Sequence, residues 1–243
     1  MNLAEDQDVT NSAAPRRRER VRTATVAEIK RLAWEQVAEG GALGVSLRAI
    51  ARSMGMASSA LYRYFAGVEQ LLAELCCDGF TSLADALEQA EAGLSEGVST
   101  AQRWHILANA YRRWSLAHAT EYALMFGSPP KGDERTMSEH NRAMAVLFRC
   151  MIAGLASGDL DPANLLPLPP ELEPQLAEWQ AHLGLPLRTA DLAGCLFAWT
   201  QLHGAISLEL FQQLPPMFMP GDALFDQHLD SVLRFLGSPS IQL

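Results

Sequence analysis

The heptapeptide SSALYRY, Ser58 to Tyr64, sets two hydroxyls, two phenols and a guanidinium around Ala60 and Leu61. Such groups hydrogen-bond phosphate oxygens and base edges. The short side chains of Ser58 and Ser59 let a helix N-terminus bring its backbone N–H groups and positive dipole end close to an anion. Upstream stands the arginine-rich run RRRERVR, Arg16 to Arg22. Covalent chemistry has no comparable support. The strings HExxH and GxSxG and the P-loop are absent, no Glu-x-x-His pair offers a di-iron site, the six histidines are scattered, and Cys76, Cys77, Cys150 and Cys195 include no CxxC. No catalytic residue, metal or cofactor is expected, and the cysteines read as reduced thiols of a cytoplasmic protein.

A net charge of −9 would by itself repel nucleic acid. Its distribution reverses that reading. Residues 1–12 carry three acids and no base, residues 13–67 ten Lys/Arg against four acids, and residues 68–243 nine against twenty-one. A basic module is therefore joined to a larger acidic body. With 49% apolar and 19% charged residues, a buried core is expected. The N-terminus has no apolar secretory segment, and the most apolar window, Leu192 to Leu214, contains Gln201, His203 and Glu209. It reads as a buried helix, with no membrane partner.

Apolar residues recur at helical spacing and no hairpin signal occurs, so the fold class is all-α. After a disordered arm over residues 1–19, the first helix is expected from about Thr25 to Glu39, with Val26, Ile29, Leu32 or Ala33, and Val37 inward and Gly40-Gly41 as its stop. Ser46 caps a short helix whose Leu47, Ile50, Ala51 and Met54 face the core, and Gly55 stands where a left-handed residue ends it. A second short helix then turns Leu61 and Phe65 inward and leaves Ser58, Tyr62 and Arg63 outside. Two short helices about a glycine turn, inside a basic segment, have the form of a helix-turn-helix whose second helix enters the major groove. We expect a three-helix head over 20–68 and a helical-bundle body over 69–243. Within the body, a long helix runs to about Gln89. Further helices fall near 100–119, 121–126, 133–155, 171–183, 189–214 and 222–236, with Pro/Gly-rich links at 128–132 and 158–170.

The stretch ALGVSLRAIARSMGMASSALYRYF, with the following Leu71-Leu72, resembles the DNA-binding domain of the TetR family of transcriptional repressors. The likeness covers residues 22–75 and rests on Ile50-Ala51, the Gly55 turn and LYRYF. WTQLHGAISLELF, Trp199 to Phe211, is similar to the tail of a subgroup with a Trp…His-Gly signature. The resemblance implies a bacterial repressor, homodimeric on a palindromic double-stranded DNA operator and released by a small-molecule effector in the C-terminal body. It implies that Arg48 reaches a guanine, a contact that discriminates by about 1–3 kcal/mol when bidentate. It further implies that Ser58 and Ser59 touch bases and that Ser46, Tyr62 and Tyr64 contact the DNA backbone. One position departs from the pattern. Three residues after the phenylalanine of LYRYF the family usually has a phosphate-gripping lysine, and Val68 stands there. Arg20, Arg22 and Arg63 are then expected to supply more of the nonspecific affinity.

An effector site needs a concave, mostly apolar cavity with a few polar anchors. Trp104, Tyr111, Phe126, Met144, Phe148, Trp199 and His203 are the candidates, for a largely apolar effector. Trp199 and His203 lie one turn apart on one helix face. Ordinary core packing competes for each of them. The last two helices offer one stripe of Leu192, Cys195, Leu196, Trp199 and Leu202, and a second of Ile206, Leu210, Leu224, His228, Val232 and Phe235, for pairing with a second copy. Two other functions compete: a constitutive DNA-binding protein without an effector and, with less support, an enzyme on the helical body.

Overall fold

The structure, a computed structural model, describes residues 6–127, 133–161, 167–183 and 188–238. The helices in chain order are α1 (Asp6–Gly40), α2 (Leu47–Ser53), α3 (Ser58–Leu61), α4 (Val68–Ala92), α5 (Thr100–Ala117), α6 (Ala119–Tyr122), α7 (Glu134–Ser157), α8 (Leu172–Leu183), α9 (Thr189–Leu210) and α10 (Asp222–Phe235). A π-helical turn over Ala123–Gly127 follows α6. No strand occurs among the described residues. The expected link at 128–132 lies outside them, as does part of the one at 158–170.

Two compact units result, one of Met1–Cys76 with Ala123–Gly132, the other of Cys77–Tyr122 with Asp133–Leu243. The division falls inside α4. In the first unit, Ile29, Ala33 and Val37 recur every fourth residue of α1 and are buried, as the periodicity requires. The helix starts well before the expected Thr25, however, and the segment read as a disordered arm is helical from Asp6. Arg16 to Arg22 are good helix formers, and their polar pattern hides this from an amphipathicity test. Lys30 Nζ reaches Glu74 Oε2 at 3.1 Å and ties α1 to α4.

Ser46 caps α2, its Oγ accepting from the Ala49 N–H at 3.3 Å. Gly55 takes φ +64°, so the Met56 N–H can reach the Ala51 carbonyl at 2.8 Å and close α2 in the Schellman manner. Any other L-residue there would be strained. Leu47, Ile50, Ala51, Leu61 and Phe65 are all buried. The second short helix, α3, is a bare turn of helix held by its core residue.

In the second unit α5, α7, α9 and α10 enclose Trp104, Leu107, Tyr111, Phe148, Leu202 and Leu229. The pairs Arg112–Glu209 and Tyr111–His203 join α5 to α9 near their C-terminal halves. Toward the start of α5 the Cys150 thiol donates to the Thr100 carbonyl. The Cys195 thiol is pushed up to about 12 by burial, and less by Asp191 and Cys150 beside it. α5 and α9 thus run side by side in one direction, with α7 against both. The structure corrects the second apolar stripe: Ile206 and Val232 are buried within this unit, whereas Leu224 and Phe235 stay about 40% exposed.

Arg112 is 8% exposed and Glu209 6%, joined by two bonds of 2.6 Å, and Asp222 adds a third carboxylate oxygen at 2.7 Å. Glu209→Ala leaves the guanidinium buried with only Asp222. The expected loss lies toward the lower end of the roughly 3–5 kcal/mol of a broken buried pair. Urea unfolding at neutral pH measures it, and an unchanged midpoint would show the pair to be dispensable.

Candidate nucleic-acid interface and effector site

On the first unit, Arg20, Arg22, Arg48, Ser58, Ser59, Tyr62 and Arg63 are exposed. Tyr62 leaves 48% of its surface in solvent, unusual for an aromatic side chain that could have packed. Tyr64 is half-buried, and the Arg22 guanidinium stands 5.4 Å above its ring centroid. That cation–π contact joins α1 to the turn after α3 and brings two of the candidate DNA contacts together.

Ser46 is also half-buried. Its hydroxyl caps α2 and its N–H donates to Gln36 Oε1 at 2.8 Å. Arg52, exposed one turn after Arg48 on α2, adds a cation that the sequence reading did not single out. The spacing of four residues was the signal available.

On the second unit, three of the effector candidates come together. Tyr111 Oη lies 2.9 Å from His203 Nδ1, and the Trp199 ring stacks on His203 with centroids 5.0 Å apart. Two residues not anticipated complete the cluster. Tyr122 Oη lies 3.1 Å from the same Nδ1 and 2.7 Å from Ser207 Oγ. The two phenol oxygens thus converge on the His203 ring, with the Ser207 hydroxyl against that of Tyr122, and the ring's tautomer decides which of them donate.

Trp104 and Met144 are buried. Phe148 is buried too, edge-on against Trp179 at 5.7 Å. Phe126 falls in the π-helical turn of the first unit. Tyr122 escaped notice because a four-residue helix carries no periodicity, and Ser207 because a lone serine on an apolar helix has no pattern.

Burial, and secondarily the nearby His140, lowers the His203 pKa to about 4. Burial likewise raises Tyr122 to about 12 and Tyr111 well above its ordinary value. All three are therefore uncharged at neutral pH. The cluster can make directional hydrogen bonds and apolar contacts. Among the described residues, no group of three or more His, Cys, Asp or Glu side chains is placed to hold a metal ion. None of the helices there is long and apolar enough to cross a membrane.

A short capped helix, a positive-φ glycine turn and an exposed polar helix define a helix-turn-helix DNA-binding protein of all-α architecture. Residues 29–75 match the family of bacterial regulatory proteins, tetR family, and residues 104–232 match the tetracyclin repressor-like C-terminal domain. The HTH-type transcriptional regulators Mb1846 of Mycobacterium bovis and Rv1816 of Mycobacterium tuberculosis are each 33% identical over 195 residues, spanning 77% of this chain and 81% of theirs. The solved structure of a regulatory protein, SCO4313, superposes with a TM-score of 0.70 at 34% identity, covering 89% of this chain and 98% of that one. A tetR-family regulatory protein from Rhodococcus RHA1 shares the fold, with a TM-score of 0.61 at 16% identity over 88% of this chain and 97% of its own. The chain belongs to the TetR family of transcriptional regulators, whose members bind DNA and typically act as dimers; they are not enzymes.

The depressed His203 pKa carries a pH signature. Between pH 6.5 and about 4 the unfolded chain binds a proton at this histidine that the folded chain does not. The contribution to stability is complete above about pH 6.5 and falls as pH drops toward about 4. Below that, no further loss comes from this group. Thermal midpoints taken from pH 7.5 to 4 are expected to fall less steeply for His203→Phe than for the wild type. Parallel curves would mean that His203 is not held neutral.

Proposed function

We propose that the protein is a repressor that reads a palindromic operator as a homodimer and is released when a small, largely apolar effector binds at the His203 cluster. The observation that carries the DNA part is the set of outward polar side chains on and just after α3, Ser58, Ser59, Tyr62 and Arg63, none of which the local core uses. Arg48 reads a base, Ser58 and Ser59 meet base edges, and Tyr62, Tyr64, Ser46, Arg63, Arg20 and Arg22 hold the backbone. On this reading residues 20–68 form the reading head, 69–243 the sensing and dimerising body, and 1–19 an arm along the duplex. Its place of work is the cytoplasm, where the operator lies.

Dimerisation is supported by the exposed apolar residues of α9 and α10, Leu208, Leu224 and Phe235, each 40–42% exposed. A groove of about 320 Å³ at Leu208 and Leu224 is also lined by Gly204 and Ala205. Twofold symmetry then sets the two reading heads about one DNA turn, roughly 34–36 Å, apart. The effector acts by binding one of two dimer conformations more tightly, with α4 carrying the change to the heads. A constitutive DNA-binding protein would bind its site equally with and without every compound tested.

The test is a titration of the purified protein against the DNA flanking its own coding region across a range of salt. Arg48→Ala is expected to weaken specific binding by about 1–3 kcal/mol, roughly 5- to 150-fold, with little change on unrelated DNA. Arg20→Ala with Arg22→Ala is expected to weaken binding to all sequences alike. It also lowers the salt slope by about 0.9 for each phosphate that is no longer neutralised. Binding that is equal for every sequence and every variant would rule out operator reading.

A further inference from the structure

Among the described residues of the second unit, two buried hydrogen-bond donors have no acceptor. The indole nitrogens of Trp104 and Trp199 make no hydrogen bond, although Trp104 is only 1% exposed. An indole N–H can only donate, so it cannot be satisfied by another donor, and buried polar groups in native proteins are otherwise almost always paired. The other indole of α5 shows the ordinary case: Trp114 Nε1 donates to Ser82 Oγ at 3.1 Å.

Trp199 stacks on His203 of the cluster, and Trp104 stands on the stripe of α5 that carries Tyr111. Trp104 precedes Tyr111 by two turns, and Trp199 precedes His203 by one turn on α9. The helices run side by side in one direction and Tyr111 is bonded to His203. Both indoles therefore fall on the same side of that bond, toward the starts of α5 and α9.

We propose that this site takes a largely apolar molecule carrying acceptor oxygens, as carbonyl or carboxylate, which accept from the Trp104 and Trp199 indole N–H groups, and that it discriminates against ammonium compounds. The proposal rests on the effector reading given above and adds the ligand's chemical class. A hydrocarbon would leave both donors unsatisfied. An ammonium would bring further donors to a place where donors are already in excess. The aromatic faces of Trp199 and Tyr122 could still attract a cation, so rejection of the amine is the sharpest part of the test.

The full-length protein, ¹⁵N-labelled at tryptophan, is titrated with four naphthalenes of similar size: 2-acetylnaphthalene, 2-naphthoate, 2-ethylnaphthalene and 2-naphthylmethylammonium. The readouts are dissociation constants and the indole N–H resonances. At least one of the two oxygen-bearing probes is expected to bind about tenfold or more tighter than the ethyl compound and than the amine, and to shift both the Trp104 and Trp199 indole signals. Whichever of the ketone and the carboxylate binds tighter identifies the kind of oxygen. The preference over the ethyl compound should fall below about threefold in Trp104→Phe/Trp199→Phe. The indole shifts in the wild type keep the test valid if that variant folds poorly.

Tightest binding by the amine, equal affinities, binding without indole shifts, or no binding by any of the four would overturn the proposal. Operator affinity is measured on the same samples. A probe that binds through the indoles yet leaves the operator bound would overturn the sensor reading alone.

Discussion

The pairing of Arg112 with Glu209 sets the register on which the second unit depends. Two bonds of 2.6 Å join side chains that are 8% and 6% exposed. Such a pair is a weak source of net stability, because removing both charges from water offsets most of their attraction, but it tolerates little misalignment. Arg112 adjoins Tyr111, and Glu209 lies less than two turns beyond His203. A slip of α5 against α9 by one turn, about 5.4 Å, would strand both charges and part Tyr111 from His203. The start of α10 is drawn into the same arrangement. Asp222 reaches the guanidinium, the Phe225 ring lies 4.9 Å beneath it, and a Cβ on Gly221 would sit 3.2 Å from Glu209 Oε1. One buried ion pair thus aligns three helices.

The reading head is held by different means. Its core is a handful of aliphatic side chains and Phe65, and its two short helices could not persist alone, since a helix of one or two turns is far below the length that is stable in water. Backbone devices compensate: the Ser46 cap, the Gln36 clamp on the Ser46 N–H, and the left-handed Gly55. These choices leave the outer face free of structural duty, with one exception. Arg22 and Tyr64 hold one another, so a change at either would alter both the packing of α1 and the exposed cationic surface. Val68, where the family usually has lysine, opens α4 without an ionic side chain. The ionic side chain in its first turn is the acid Glu69.

The elements read most securely from the sequence were those in which a period and a stop coincide. Ile29, Ala33 and Val37 followed by Gly40-Gly41 ended α1 correctly, and Leu47, Ile50 and Ala51 followed by Gly55 placed α2. The start of α1 was missed because Arg16 to Arg22 form helix by backbone propensity rather than by burial, and burial is what periodicity detects. The extent of the apolar stripes on α9 and α10 was legible, but their division was not: Ile206 and Val232 serve this unit's own core, and nothing along a single chain says which of two apolar faces meets its own neighbours. Tyr111, Trp199 and His203 were named for their types. Tyr122 and Ser207 joined them only through tertiary contact across more than 80 positions, a distance over which one sequence read alone carries no pairing signal.

The position of His203 on α9 bears on how binding and assembly could be linked. Trp199, His203 and Ser207 recur every fourth residue and form one face of that helix. Gly204 and Leu208, which line the groove beside α10, are turned about 100–140° from His203. On the proposed reading, the same rigid rod meets the effector on one side and the second copy on the other. Packed interiors do not deform continuously. A molecule that wedges against His203 must therefore either displace Trp199 and the Tyr122 ring or move α9 as a body. The small residues Gly204 and Ala205 on the groove side favour the second course, because a flat, small-side-chain surface can slide where interlocked leucines would resist. The Arg112–Glu209 pair limits that slide to less than a turn. A coupling built in this way requires no long pathway of contacts, only a helix with two faces and a pin near one end.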